Sequence, residues 1–207
     1  MPHRKRKSET PTYTYADYLT WGENQRCELI DGVVYSMTPS PSKTHADISK
    51  ALFRQLDLFF QGKSCQVYYA PLDVRLPKKD QTDENTDTVV QPDIIVVCDE
   101  SKLDEKGCRG APDLVIEILS PSTASKDHIT KKRLYETAGV KEYWLISPGD
   151  RIVTLYRRTA RNGFGPAQIF GDTDIVSVSL FPGLEIDMKM LFPPLPPVVR
   201  EPGVRYL

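Results

Sequence analysis

The chain has 207 residues, 40% of them hydrophobic, with 27 Lys and Arg against 28 Asp and Glu. That is enough apolar content for one sizeable core. No apolar run approaches the roughly 20 residues needed to span a bilayer, and a net charge of -1 excludes an electrostatic footprint for nucleic acid over the whole surface, so any such contact rests on local clusters.

The basic start, Arg4 to Lys7, has no apolar segment behind it and reads as a flexible arm over residues 1–12, so a cytoplasmic location is expected. One domain is expected over 13–192. Residues 193–207, "PPLPPVVREPGVRYL", are too proline-rich for a core element and read as an extended arm. Cys27, Cys65, Cys98 and Cys108 lack CxxC spacing and are read as reduced thiols.

Thr14 can cap a short helix in "YADYLTW", and "RCELIDGVVYSM" reads as a hairpin turning at Asp31-Gly32. From there the period changes. Ile48, Leu52, Leu56 and Phe59 recur at helical spacing, with Thr44 as a cap and Gly62 as a stop. "SCQVYYAPLDVRL" returns to strand chemistry, and "PKKDQTDENTDT" reads as a long, exposed and mobile loop.

"VVQPDIIVV" predicts one strand buried on both faces, followed by the charged linker "CDESKLDEKGCRGAP" and a second buried strand, "DLVIEIL". A hydroxyl-rich turn then leads into a helix from about Ser125 to Gly139. "KEYWLIS" and "RIVTLYRR" predict two strands around Pro148-Gly149-Asp150. A further strand is expected at "DIVSVSL" and a helical turn at "DMKMLF".

The chemistry centres on Asp93 and Glu117. Each stands among apolar residues, where an ionised carboxylate is costly unless paired or metal-bound. Two carboxylates on neighbouring strands, about 4.8 Å apart, can converge on one hard divalent cation. Asp113 repeats the Pro-Asp dipeptide, but four residues along one strand put it roughly 13 Å from Glu117 at about 3.3 Å per residue, too far to share an ion. Asp127, Lys131 and Tyr135 share a helical face, and from spacing alone Asp127 and Lys131 read as an exposed ion pair.

Ser120 belongs to a turn and cap that could also meet a phosphate. Glu28 is either a further metal ligand or a partner for Arg26. His45 is either a helix-start residue or a phosphate contact, while Tyr143, Trp144 and Tyr156 read as core.

In this order, "RCELIDGVVYSM", His45, "QPDIIVV", "VIEILSPST" and "DHITKKRLYETAGVKEYWLIS" resemble the Uma family of putative restriction endonucleases, from about Tyr13 to Leu191. The resemblance implies an α/β, restriction-endonuclease-like fold of the PD-(D/E)XK superfamily: a mixed central β-sheet flanked by helices. It also implies magnesium, with manganese as a substitute, held by Asp93, Glu117 and the backbone carbonyl of Ile118. Glu28 would be an additional ligand.

The superfamily's lysine would fall at Leu119, which cannot serve. Its place is taken by Lys131 on the following helix, near enough to the two acids to orient water or offset phosphate charge. Lys131→Ala is therefore expected to leave folding intact and lower cleavage. Lys132, His45 and Ser120 would contact substrate. The function implied is a metal-dependent endonuclease acting on DNA, assembled as a homodimer with no membrane partner. Its rivals are a non-cleaving nucleic-acid-binding or regulatory module of the same fold, favoured by Leu119, and an interaction subunit of a defence or mobile-element system.

Overall fold

A computed structural model describes residues 12–22, 25–37 and 40–192; both arms read from the sequence, apart from Thr12, fall outside them. β1 (Cys27–Ile30) and β2 (Val33–Ser36) form the hairpin expected at Asp31-Gly32. Both turn residues have positive φ, 50° and 75°, which an Asp-Gly pair tolerates and most residues do not. The preceding short helix, α1 (Tyr15–Tyr18), is closed by a capping box between Thr14 and Asp17.

The long helix α2 (Lys43–Phe60) starts two residues earlier than expected. Ser42, not Thr44, is its cap and accepts from the His45 N–H. Its buried stripe is Ile48, Leu52, Leu56 and Phe60, a strict i+4 series, while Phe59 packs only partly against the core.

Two predicted strands each divide between two sheets. "SCQVYYAPLDVRL" gives β3 (Gln66–Tyr69) and β4 (Val74–Arg75), and "VVQPDIIVV" gives β5 (Val89–Val90) and β6 (Ile94–Val97). Pro71 and Pro92 lie in the two gaps. Proline has no N–H for a ladder, so an apolar run containing one need not continue in the same sheet.

The charged linker folds too, as the hairpin of β7 (Leu103–Asp104) and β8 (Gly107–Arg109). Gly107 is required there: at φ 114° a Cβ would stand 2.3 Å from the Asp73 carbonyl oxygen. One mixed sheet thus has the order β2-β1-β5-β4-β8-β7.

β9 (Leu114–Ile118), β10 (Glu142–Ser147), β11 (Ile152–Arg157) and β12 (Gln168–Gly171) complete the second mixed sheet, in the order β12-β11-β10-β9-β6-β3. β12 has no counterpart among the predicted elements. β13 (Ile175–Ser177) and β14 (Glu185–Asp187) pair separately, followed by the expected helical turn at Met188–Met190.

Strand alternation sorts the core. Leu114, Ile116, Ile118, Ile94 and Val96 face α2 and the β13–β14 hairpin. Val115, Ile95, Val97, Tyr143 and Leu145 face the smaller sheet and α3 (Lys132–Ala138), which ends at Gly139 in the left-handed conformation. The larger sheet is therefore flanked by helices on both faces, as the restriction-endonuclease-like reading requires. No helix among the described residues is long and apolar enough to cross a membrane.

Two expectations are corrected. Cys65 and Cys98 are joined by a disulfide, leaving Cys27 and Cys108 as buried free thiols. The antiparallel register Gln66↔Val97 places Cys65 opposite Cys98 one step beyond the strand ends, a proximity that 33 residues of sequence separation conceal.

The polar loop after β4 is tethered rather than free. Arg75, fully buried, donates twice to the Asp83 carboxylate at 2.8 and 2.7 Å and once to Asp104 at 2.6 Å, and Lys78 pairs with Asp31 and Asp87. Arg75→Ala is expected to lower the guanidinium chloride midpoint by an amount equivalent to about 2–3 kcal/mol. That is below the full effect of opening a buried pair, because both partner acids are partly exposed.

Candidate active site

The register of β6 against β9 explains why Asp93 and Glu117 meet. Ile94 lies opposite Ile116 and Ile95 opposite Val115, so the next step outward sets Asp93 against Glu117. Period-two alternation turns Glu117 to the sheet face that carries Val115, while the Asp93 side chain, one residue before β6, lies at the strand end.

Leu119 donates its N–H to Ile146 on the β10 side. The neighbouring Ile118 N–H and carbonyl must then face the other way, towards β6. There the Ile118 N–H is held by Asp93 Oδ2 at 2.7 Å. Asp93, Glu117 and Ile118 line one cavity of about 1020 Å³.

A wide helical turn supplies the cations. Lys126–Lys131 is a π-helix, in which the Lys132 N–H reaches back to the Asp127 carbonyl, and it runs directly into α3. Single π turns of this kind often occur at functional sites. The result overturns the exposed Asp127–Lys131 pair: these residues are only 3% and 4% exposed, with Lys131 Nζ 3.7 Å from Asp127 Oδ1.

Lys131 Nζ lies 2.7 Å from Glu28 Oε1 and 2.9 Å from Glu117 Oε1. Tyr135, one helical step further, donates its hydroxyl to the same Glu117 oxygen at 2.8 Å. Glu28 does not pair with Arg26. Its second oxygen takes Lys126 at 2.6 Å, and its first also accepts from the Gln91 N–H.

These contacts set the protonation states. Burial pushes the Glu117 carboxyl up to about 8; Lys131 opposes the rise, and the charges of Asp127, Asp93 and Glu28 add to it. Burial acts against the charged Lys131 ammonium, but Glu117, Glu28 and Asp127 outweigh it and hold the pKa well above the usual lysine value. Glu28 is held below the carboxylate range because Lys131 and Lys126 overcome its desolvation. Desolvation raises Asp127, and its Oδ1 is buried without a hydrogen-bond partner.

His45 enters from the first turn of α2 with Nε2 3.2 Å from Asp93 Oδ1. Burial would depress its imidazole, yet hydrogen bonds to Asp93 and to the Ile118 backbone outweigh that and raise it.

The remaining candidates separate. Ser120 lines the cavity, but its hydroxyl is within 3.0 Å of those of Ser122 and Thr123. Lys132 is not brought to the cavity: its ammonium sits over the rings of Tyr156 and Phe164, at 4.9 and 5.8 Å. Asp113 belongs to the opposite strand end, where it accepts from the Cys98 N–H and pairs with Lys141. Tyr143 and Trp144 are core residues, as expected, and Tyr156 is partly buried against it.

Two contacts were not anticipated, that of Tyr135 with Glu117 and that of Lys126 with Glu28. Tyr135 was detectable by its i+4 spacing from Lys131. The Lys126–Glu28 contact spans 98 residues of sequence and had no local signal.

Among the described residues no group of three or more His, Cys, Asp or Glu side chains is arranged to hold a metal ion. An oxygen set of two carboxylates and a backbone carbonyl, completed by water, needs no third such side chain. The oxygens at this strand end left for such a set are Asp93 Oδ1, Glu117 Oε2, which neither Lys131 nor Tyr135 engages, and the Ile118 carbonyl. With Asp93 and Glu117 included, five carboxyl side chains and three lysine and arginine side chains line the cavity.

Comparisons with known proteins follow the same lines. A solved structure described as a putative nuclease belonging to DUF820, from Anabaena variabilis, shares the fold with a TM-score of 0.68 and 23% identity, over 87% of this chain and 97% of that one. An uncharacterized protein of Synechocystis sp., slr1290, is 31% identical over 151 residues, covering 72% of this chain and 75% of its own. The model of the Uma2 family, described as "Putative restriction endonuclease", matches residues 15–189, the segment that carries both sheets and every residue around Glu117, and the chain belongs to that family.

Proposed function

We propose that this protein is a divalent-metal-dependent endonuclease that hydrolyses phosphodiester bonds in DNA. The observation that carries the reading is the register-enforced pairing of Asp93 with Glu117, beside a backbone carbonyl turned to the same edge. Family membership supports a nuclease. The ligands would be Asp93, Glu117 and the Ile118 carbonyl, with magnesium as the natural ion and manganese as a substitute. Bound there, the ion would supply an acidified water and charge to offset that building on the phosphate.

The chain's own groups do the rest. Lys131 donates to Glu28 and Glu117 and so fixes the Glu117 carboxylate. The third N–H of its ammonium has only the distant Asp127 oxygen before it and can hold a water or a phosphate oxygen. Tyr135 locks the same carboxylate from behind. Glu28, with both oxygens held by lysines, serves as the anchor of Lys131 and Lys126 more than as a metal ligand. A homodimer, with one site for each strand, belongs to the same proposal.

The test is incubation of supercoiled plasmid and single-stranded DNA with magnesium, manganese or EDTA, comparing wild type with Asp93→Ala. Cleavage that needs the ion and disappears in the variant supports the reading. Linear product forming without nicked circles would support paired sites. Binding of DNA without cleavage under every condition would replace the enzyme with a non-cleaving module of the same fold.

A further inference from the structure

Asp93 has two carboxylate oxygens and only one to spare. Oδ2 is committed to the Ile118 N–H at 2.7 Å, which pins the side chain to the strand end. Asp93 lines the cavity, and the His45 ring stands in front of Oδ1, with Nε2 3.2 Å away. The ring therefore sits on one of the three oxygens named above as candidate cation ligands.

We infer that the His45 imidazole and the divalent cation are alternative partners of Asp93 Oδ1, and that metal entry displaces the ring. The inference rests on the metal-dependent reading of the site. Hard cations prefer oxygen ligands, so the ion has more to gain from this carboxylate oxygen than from the ring nitrogen.

The local architecture permits the exchange. His45 is in the first turn of α2, where its N–H is satisfied by Ser42 Oγ at 3.2 Å, so the ring can turn about its side-chain bonds while the backbone stays capped. The cavity it lines has room for the displaced ring. The arrangement keeps the half-buried carboxylate satisfied without metal and makes occupancy depend on breaking the His45 contact.

The experiment is titration of the full-length protein with manganese by calorimetry, for wild type, His45→Ala and Asp93→Ala, with no substrate present. His45→Ala should bind manganese about three- to tenfold more tightly, the gain expected when a hydrogen bond no longer has to be broken on entry. Magnesium added to wild type should also move the His45 ring-nitrogen NMR signals to free-imidazole positions, and this shift should be missing in Asp93→Ala.

Equal affinity in His45→Ala would overturn the exchange. Weaker affinity would overturn it too, by making His45 a ligand. Binding that depends on Asp93 but not on His45 would defeat this inference alone. Absence of Asp93-dependent binding in every variant would defeat both the inference and the metal-dependent reading.

Discussion

Replacing Lys131 by alanine is expected to destabilise the metal-free protein by about 3–5 kcal/mol, the range seen when one member of a buried ion pair is removed. The ammonium is 5% exposed and stands between Glu28, fully buried, and Glu117, with Asp127 beyond. Its removal leaves carboxylates facing one another in a poorly hydrated space, with Lys126 the remaining cation on Glu28. Burial thus corrects the expectation from sequence that the variant would fold normally.

Lys132→Ala is the control. Its ammonium contributes a partly exposed cation–π contact, and the loss should stay below about 1 kcal/mol. Guanidinium chloride midpoints in EDTA would make the comparison. Equal values for the two variants would mean that Lys131 does not hold the acids together. Cleavage by Lys131→Ala, assayed at a temperature where the variant remains folded, should also fall, because Glu117 loses its orienting partner.

Glu117→Gln is expected to reduce cleavage at least about a hundredfold while leaving the fold intact. Even partners one step removed from a metal commonly matter by 10–100-fold, and here an oxygen ligand would become a neutral amide. The same variant should alter the pH dependence of stability in the metal-free protein.

The folded-state pKa of Glu117, about 8, lies above its ordinary value of 4.5. Between those values the folded form binds more protons than the unfolded chain, so this group's contribution to stability falls as pH rises through that window. Glutamine does not titrate. The variant should therefore lose less stability than wild type between about pH 5 and 8, as followed by thermal melts in EDTA. Parallel pH curves would show that Glu117 is not the strained acid.

Much of this site was legible in the chain because its signals are local. An acid inside "LVIEIL" conflicts with its neighbours wherever the strand lies, and that conflict marks Glu117 without any coordinates. The Asp127, Lys131, Tyr135 face follows from helical spacing, although a π turn delivers it. The hairpin at Asp31-Gly32 and the stripe of α2 are likewise dictated by turn chemistry and by period.

Tertiary structure alone decided everything that depends on register or on which sheet a short strand joins. Val89-Val90 and Ile94–Val97 look alike in sequence, yet they pair in different sheets because Pro92 interrupts the ladder between them and distant strands offer each a partner. The Cys65–Cys98 link, the Glu28–Lys126 contact and the seat of His45 on Asp93 have the same origin. Pairwise proximity across the fold is set by packing and strand register, which side-chain spacing along the chain does not encode. The sequence by itself determined which residues carry chemistry and that they need compensation; the folded sheets decided which partner compensates each of them.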